Sequence, residues 1–436
     1  MAQGKRMLNF NNHKTRYPVA VTLWAVFFLV GMIAIRGSLA LAEDPPKRWW
    51  KGNLHTHSLW SDGNDFPEMI ADWYRSAGYH FLAISDHNVM SEGERWIPLE
   101  TVKSRGGEAV LEKYIERFGR PWVETRLLDA GQHTEVRLHG LAEFRGDLEM
   151  DGKFLLMASE EISDSVDGRP VHMNATNLGE AILPLGGATV AEALANNFRA
   201  VQEQSRRLDR PIILHINHPN FGFALTAEDL AYVAGERFFE VYNGHPGVNH
   251  LGDDTHASVE AMWDVANTIR LAKLNVPPMY GLATDDSHEY HGPTGSITGR
   301  GWVMVGASRL TVEDILTGLN EGEFYASSGV SLAKLTFNPE QRRLHLEIEP
   351  QTNEAYTTRF IGTRVGRKET DAEGATAIGE VLSEVQGDVA SYQLGADLLY
   401  VRAVVTSTAE HPRGSFPDQK KQAWTQPVGW KRRFDR

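Results

Sequence analysis

The sequence predicts an α/β fold whose parallel strands are arranged as a barrel, followed by a small β domain. Three observations predict it. Short apolar runs alternate with amphipathic helical segments from about residue 50 to about residue 320, the pattern of parallel strands joined by helices. Clusters of His, Asp and Glu follow those runs directly, and in a barrel the groups that do chemistry arrive at the C-terminal strand ends. After about residue 328 the helical pattern stops and only strand-like segments remain.

The elements follow in order. Trp49 to His57 reads as the first strand, and Phe66 to Gly78 as a helix with Met69, Ile70, Trp73 and Ala77 on one face and Gly78 as its stop. Phe81 to Ile84 is a strand buried on both faces, ending in Ser85-Asp86-His87. Residues 91–152 are too long for a barrel loop and too apolar for disorder. They read as an inserted cap with a helix at about 108–118 and a strand near Glu135–Phe144. Phe154–Ala158 is a strand ending in Ser159-Glu160-Glu161, and Val171–Asn174 follows a Gly-Arg-Pro turn. Thr189 to Leu208 is a helix with Val190, Leu194, Phe198 and Val201 on one stripe. Strands at Ile212–Leu214, Phe238–Val241 and Met279–Ala283 end in His215-Ile216-Asn217-His218-Pro219, Tyr242-Asn243-Gly244 and Thr284-Asp285-Asp286-Ser287-His288. A helix at Thr255–Leu274 separates the last two, and Gly301–Val305 and Thr311–Asn320 close the series as strand and helix. Leu332–Asn338, Leu344–Glu349, Thr358–Thr363 and Leu399–Ser407 then form the small β domain, with Gly414–Trp430 as a tail that wraps back. The expected division is therefore 1–42, 43–328 with the cap at 91–152, and 329–436.

Composition narrows the chemistry. The formal charge is -13 and no long basic run is present, so no nucleic-acid partner is expected. With no cysteine in the chain, disulfides, thiolate zinc sites and cysteine nucleophiles are excluded. No Gly-x-Ser-x-Gly elbow occurs. Residues 1–42 carry five basic residues and no acid, so their removal takes the charge to -18. Tyr17 to Ile35 is an apolar run, followed by Ser38-Leu39-Ala40-Leu41-Ala42 with small residues placed for cleavage after Ala42. The run is also long enough to span a bilayer as an uncleaved anchor. The segment is read as a signal peptide or as an anchor, the protein as exported (periplasmic or extracellular) or held by that segment. Membrane contact is expected only through it.

The chemistry centres on Asn53-Leu54-His55-Thr56-His57, where histidines at i and i+2 share one side of an extended strand. Singly, such residues are ordinary: a histidine is more often packed than ligating, and Asp or Glu at a strand end is often a turn residue. Together, His55, His57, Asp62, His87, Glu161, His172, His218, Asp286 and His288 all fall at strand ends or in the loops after them. A barrel brings those ends to one face. Such a crowd of nitrogen and oxygen donors calls for balancing cations. Imidazole and carboxylate ligands suit two or three divalent ions of Zn, Mn or Fe.

His55-x-His57 with Ser61-Asp62-Gly63, Ile84-Ser85-Asp86-His87, Glu161 after a strand, His218-Pro219 and Asp286-Ser287-His288 resemble, in order, the motifs of the polymerase and histidinol phosphatase (PHP) superfamily. The match covers roughly residues 50–330 and implies a distorted (β/α)7 barrel. The tail around Ala423-Trp424-Thr425-Gln426-Pro427 further resembles the carbaryl-hydrolase-like branch. The resemblance implies that His55, His57, Glu161 and Asp286 hold one metal. Glu161 would bridge to a second held by His172 and His218, and Asp62, His87 and His288 would hold a third. Glu160 is the alternative bridge, although the spacing to Ile162-Ser163 favours Glu161. His215 is the alternative to His218, which the following proline favours.

These residues lead to an expected metal-dependent hydrolase of a small-molecule ester. Two cations would share an acidified water that attacks phosphorus in line. Asp286 or His288 would carry the proton to the leaving group. Arg300 is the candidate cation for the equatorial oxygens, with Arg145 and Arg95 behind it, and Asn243 is a candidate substrate contact; an exposed arginine and a turn residue are the plain alternatives. The same metals could serve a carboxylic ester, carbamate or amide, which an aromatic cap would suit. A non-catalytic exported metal-binding module is the third reading.

Overall fold

Alternating apolar and polar periods build one large mixed sheet flanked by helices. The computed structural model describes residues 45–128, 133–233, 235–366 and 378–434. The expected signal peptide or anchor, residues 1–42, lies outside the described residues. The strands of the first part are β1 (Arg48–Asn53), β2 (Phe81–Ile84), β3 (Arg95–Pro98), β4 (Thr125–Leu128), β5 (His133–Leu138), β6 (Leu155–Val166), β7 (Arg169–Thr176), β8 (Ile213–Ile216), β9 (Phe238–Asn243) and β10 (Tyr280–Thr284). Next come β11 (Trp302–Ala307), β12 (Phe324–Ser327), β13 (Leu332–Asn338), β14 (Arg343–Ile348), β15 (Tyr356–Arg364), β16 (Glu380–Gln386), β17 (Val389–Gln393), β18 (Leu398–Glu410) and β19 (Lys420–Thr425). The helices are α1 (Pro67–Ser76), α2 (Leu99–Gly106), α3 (Val110–Phe118), α4 (Leu141–Leu148), α5 (Val190–Leu208), α6 (Ala227–Tyr232), α7 (Val259–Ile269) and α8 (Val312–Glu321).

Local chemistry explains the helix ends. Proline opens α1, which buries Ile70, Ala71 and Tyr74. The Thr189 hydroxyl accepts from the Glu192 amide 3.2 Å away and caps α5. Ser258 and Thr311 cap α7 and α8 in the same way.

Thirteen strands form one sheet in the order β10-β9-β8-β7-β6-β2-β1-β11-β12-β19-β18-β15-β16. The expected (β/α)7 barrel is therefore corrected: the sheet is open and mixed. β6 does not stop at Ala158. It runs on to Val166, turns, and returns antiparallel as β7, which pairs antiparallel with β8. β11 likewise runs antiparallel to β1. Among the described residues β10 is hydrogen-bonded to β9 alone. Its free edge is met by a side chain instead: the Gln426 amide accepts from Gly281 N and donates to Gly281 O, both at 2.9 Å. An unpaired edge needs such cover, and Gln426 fills the place that a closing strand would take.

The parallel strands β1, β2, β6, β8, β9 and β10 share one direction, with only β7 reversed between them. Their C-terminal ends consequently open on one side. Residues 95–148 fold as β3-β5-β4 with α2, α3 and α4. The expected strand near Glu135–Phe144 ends at Leu138, because Gly140 starts α4 and the Glu143 carboxylate turns back to accept from Gly140 N at 2.8 Å. Val110, Tyr114, Val136 and Leu138 of this segment pack on Leu59 and Trp60, beside the turn that carries Asp62. The C-terminal strands are not a separate sheet. β19 pairs with β12, so β15, β16, β18 and β19 extend the main sheet, and β13-β14-β17 pack on it through Leu344, Leu346, Phe360 and Val405.

Candidate metal centre

Each donor is set by the strand end that carries it. His55 and His57 follow β1 and point the same way, and both are fully buried. Asp286 and His288 follow β10. Asp286 holds φ at 48°, a left-handed conformation that a non-glycine residue adopts at a cost of about 1–3 kcal/mol. The strain aims its carboxylate at the histidine pair: Asp286 Oδ1 lies 3.1 Å from His55 Nε2 and 3.2 Å from His57 Nε2. His218, after β8, also has positive φ, at 21°.

Glu161 is the hub. Its buried carboxylate lies within 2.6 Å of His87, 3.1 Å of His172, 3.4 Å of His55 and 3.5 Å of both His57 and His218. Asp62 gathers a second group, with His57 Nδ1 at 3.7 Å and His87 and His288 Nε2 at 3.5 Å. The His57 ring therefore faces both groups, one nitrogen to each. All nine sequence candidates for metal ligation converge here. Three of the sets they form have ligand atoms within 4.8 Å of one another, His57–Asp62–His87–His288, His55–His57–Glu161 and His87–Glu161–His172, and His55 joins His215 and Glu240 in a fourth.

The last set contains a residue that the sequence reading passed over. Glu240 Oε1 accepts from His55 Nδ1 at 2.7 Å and from the Thr284 hydroxyl at 2.7 Å. Its other oxygen accepts from His218 N at 2.8 Å and from the Asn243 amide at 2.7 Å. A carboxylate on Nδ1 fixes the proton there and leaves the Nε2 lone pair aimed at the cluster. A lone carboxylate inside an apolar strand was the available signal. Asn217, whose amide donates to Glu161 Oε1 at 2.6 Å, was also passed over. His288 Nδ1 faces the Asp286 carbonyl at 2.9 Å, which leaves its Nε2 for Asp62.

The two alternatives separate cleanly. Glu160 points to the other side of β6, where it accepts from Ile182 N at 2.5 Å, and burial raises it to about 7. His215 lies behind His55, 3.4 Å from Glu240, with neither ring nitrogen hydrogen-bonded. The two substrate candidates are both engaged within the protein. Arg300 spends its guanidinium on the carbonyls of Arg413, Gly244 and Gly295 at 2.6–2.7 Å. Asn243 is fully buried and turned toward Glu240 and Asp286. Arg145 lies 3.5 Å from Glu149, and Arg95 stacks over Trp60.

The electrostatics fit a cation. Burial disfavours charge on Glu161 and Asp286, yet the imidazoles around them hold both well below the usual carboxylate range. Burial also opposes protonation of His55 and His87, but Asp286, Glu240 and Glu161 raise the first, and Glu161 and Asp62 push the second up to about 11. His57 is held down to about 3 by burial and by His288. Its buried Nδ1 and Glu161 Oε2 have no hydrogen-bond partner. Carboxylates, converging imidazole nitrogens and orphaned donor atoms form the ligand set of borderline divalent metals.

Comparison with known proteins gives little more. No family model matches the chain, and no curated protein matches it. Two solved structures are similar to it. One is a two-domain protein containing a predicted PHP-like metal-dependent phosphoesterase from Bacteroides vulgatus, at 14% identity and TM-score 0.36, covering 87% of this chain and 95% of that one. The other is a candidate metal-dependent phosphoesterase from Bifidobacterium adolescentis, at 14% identity and TM-score 0.28, covering 58% of this chain and 91% of that one. At these scores neither likeness carries an inference about this chain.

Proposed function

We propose that the protein is a metal-dependent hydrolase of phosphate esters. One observation carries the reading: a fully buried carboxylate, Glu161, ringed by five imidazoles with Asp286 beside two of them. A set of that size exceeds what a closed four-ligand structural ion needs. Zn, Mn or Fe ions at two or three positions would supply an acidified water as nucleophile and screen the charge that develops on the ester.

The chain's own residues do the rest. Glu161, Asp286 and the histidines other than His288 would hold the ions. Glu240 orients His55, and Asn243 and Asn217 hold Asp286 and Glu161. His288, partly exposed at the mouth, is placed to pass a proton to a leaving alkoxide.

A second reading has a specific support. Because Arg300 is engaged with carbonyls, the equatorial oxygens of a phosphate dianion lose that guanidinium as a partner. A carboxylic ester or carbamate develops less charge and needs no such cation. Purified protein loaded with Zn, Mn or Fe and assayed on 4-nitrophenyl phosphate, its diester and 4-nitrophenyl acetate separates the two. Chelator-sensitive turnover of a phosphate ester is expected. Turnover of the acetate alone would overturn the phosphoesterase reading in favour of the second.

A further inference from the structure

The opposite end of the sheet carries a groove of about 860 Å³. It lies where β1, β10 and β12 begin, at Arg48, Tyr280 and Phe324. The donor cluster lies where β1 and β10 end. With six residues in β1, the separation is about 20 Å along the strand.

The lining has two characters. Trp49, Leu335, Phe337, Val428 and Trp430 give an apolar floor. Lys47, Arg48, Lys334, Lys431 and Arg432, all exposed, surround it with the half-buried Arg342. Two of these cations are matched: Lys47 pairs with Glu323, and Lys334 lies 3.4 Å from Glu347. Glu321 is the other acid in the lining. Arg48 and Arg342 donate to the carbonyls of Gly152 and Gly395. Asp397, which Arg342 helps to hold down, offsets part of the second charge, while Arg48 meets only a carbonyl and the Trp50 ring among the contacts of the described residues. Lys431 and Arg432 extend the positive face. A basic face on a chain of formal charge -13 runs against the average of the molecule.

Tryptophan beside Lys and Arg, over an apolar floor, is the composition of a membrane interface. Cations of this kind attract anionic leaflets over about a Debye length. The chain supplies a second argument. Lys47 on the rim is joined through residues 36–46 to the apolar run Tyr17–Ile35, and so short a connector reaches at most about 40 Å. Any bilayer that takes up the run therefore lies within reach of this face.

We propose that the groove is a docking site for the surface of an anionic phospholipid bilayer, with the headgroups on the cationic rim and the glycerol region on the half-buried Trp49, the buried Trp430 belonging to the floor. Strand direction then turns the donor cluster away from the lipid. Binding to vesicles is read without turnover, so it stands apart from the hydrolase reading.

The test uses the full chain. Vesicles with brominated acyl chains are made of phosphatidylcholine alone, or with a third of it replaced by phosphatidylglycerol. Tryptophan quenching is then recorded at low and high salt. The expected result is roughly tenfold tighter quenching on the anionic vesicles, an excess that salt weakens. Lys431→Glu with Arg432→Glu should remove that excess while leaving bound metal unchanged, and Trp430→Phe should reduce its amplitude. Equal quenching on both compositions, or an excess that survives charge reversal, would overturn the proposal. So would suppression of the excess by inorganic phosphate at a concentration where sodium chloride of the same ionic strength leaves it intact, which would assign the rim to a free anion.

Discussion

Glu240 sits in the middle of an apolar strand, where a carboxylate without partners would be too costly to keep. It keeps its charge because burial is outweighed by the His55 imidazole, which donates to it, and by His215 3.4 Å away. Its removal should therefore be felt at the metal site. Glu240→Gln keeps the shape but loses the charge on His55 Nδ1, and metal affinity is expected to fall about 10–100-fold, measured by competition with a chromophoric chelator. Unchanged affinity would leave His55 oriented by something else. A second prediction concerns protons. His55, His87 and His218 are raised by the carboxylates that face them, His87 to about 11. His55 and His87 hold protons at neutral pH that a metal must displace. Adding Zn to chelator-treated protein in weak buffer should release protons, and affinity should fall as pH falls. Calorimetry in buffers of different ionisation enthalpy counts them. The nine first candidates were readable from the sequence because each is a charged or imidazole side chain at the end of an apolar run. Glu240 was not, since nothing in Phe238-Phe239-Glu240-Val241 tells which face the carboxylate meets.

At the scale of the element, spacing conveyed less. The helices announced themselves through period and caps: Thr189 to Leu208 was readable almost to the residue. Strand direction was not, because a period of two is the same for parallel and antiparallel neighbours. β6 shows the consequence. Its polar stretch Ser159-Glu160-Glu161 reads as a strand end, but there the strand is continuing with Glu161 turned to the donor cluster. At the head of β9, Glu236 makes a testable case. It accepts from Arg237 N and Phe238 N at 2.6 and 2.7 Å. Burial nevertheless pushes it from 4.5 up to about 8. The folded chain then holds a proton that the unfolded chain has lost. Its contribution to stability is fully present below about 4.5 and disappears as pH rises through about 8. Glu236→Gln mimics the protonated form. Thermal unfolding should show the variant gaining on the wild type by several degrees between about pH 5 and about pH 8. A constant difference across that range would mean that Glu236 ionises normally.

Over the whole molecule, the strands after residue 328 were expected to stand apart, but hydrogen bonding through β12 and β19 makes them part of the main sheet. A buried ion pair fastens the same junction. Arg402, on β18, is fully buried and reaches both carboxylate oxygens of Asp264 on α7, at 2.9 and 2.6 Å. The Tyr400 hydroxyl donates to the same carboxylate at 2.6 Å, and Arg402 extends to Glu260 at 3.1 Å. Sequence could not reveal this contact, because its partners lie 138 positions apart and each resembles an ordinary surface charge. A buried pair of this kind adds little over a hydrophobic replacement of both, yet losing one partner strands the other charge. Asp264→Ala is therefore expected to cost about 3–5 kcal/mol. If the two halves form one cooperative unit, urea unfolding of the variant followed by tryptophan fluorescence and by far-ultraviolet circular dichroism should shift to lower denaturant as one coincident transition. Separate transitions for the two signals would show instead that the C-terminal strands hold together without the α7 contact, and that Arg402 joins two units able to unfold independently.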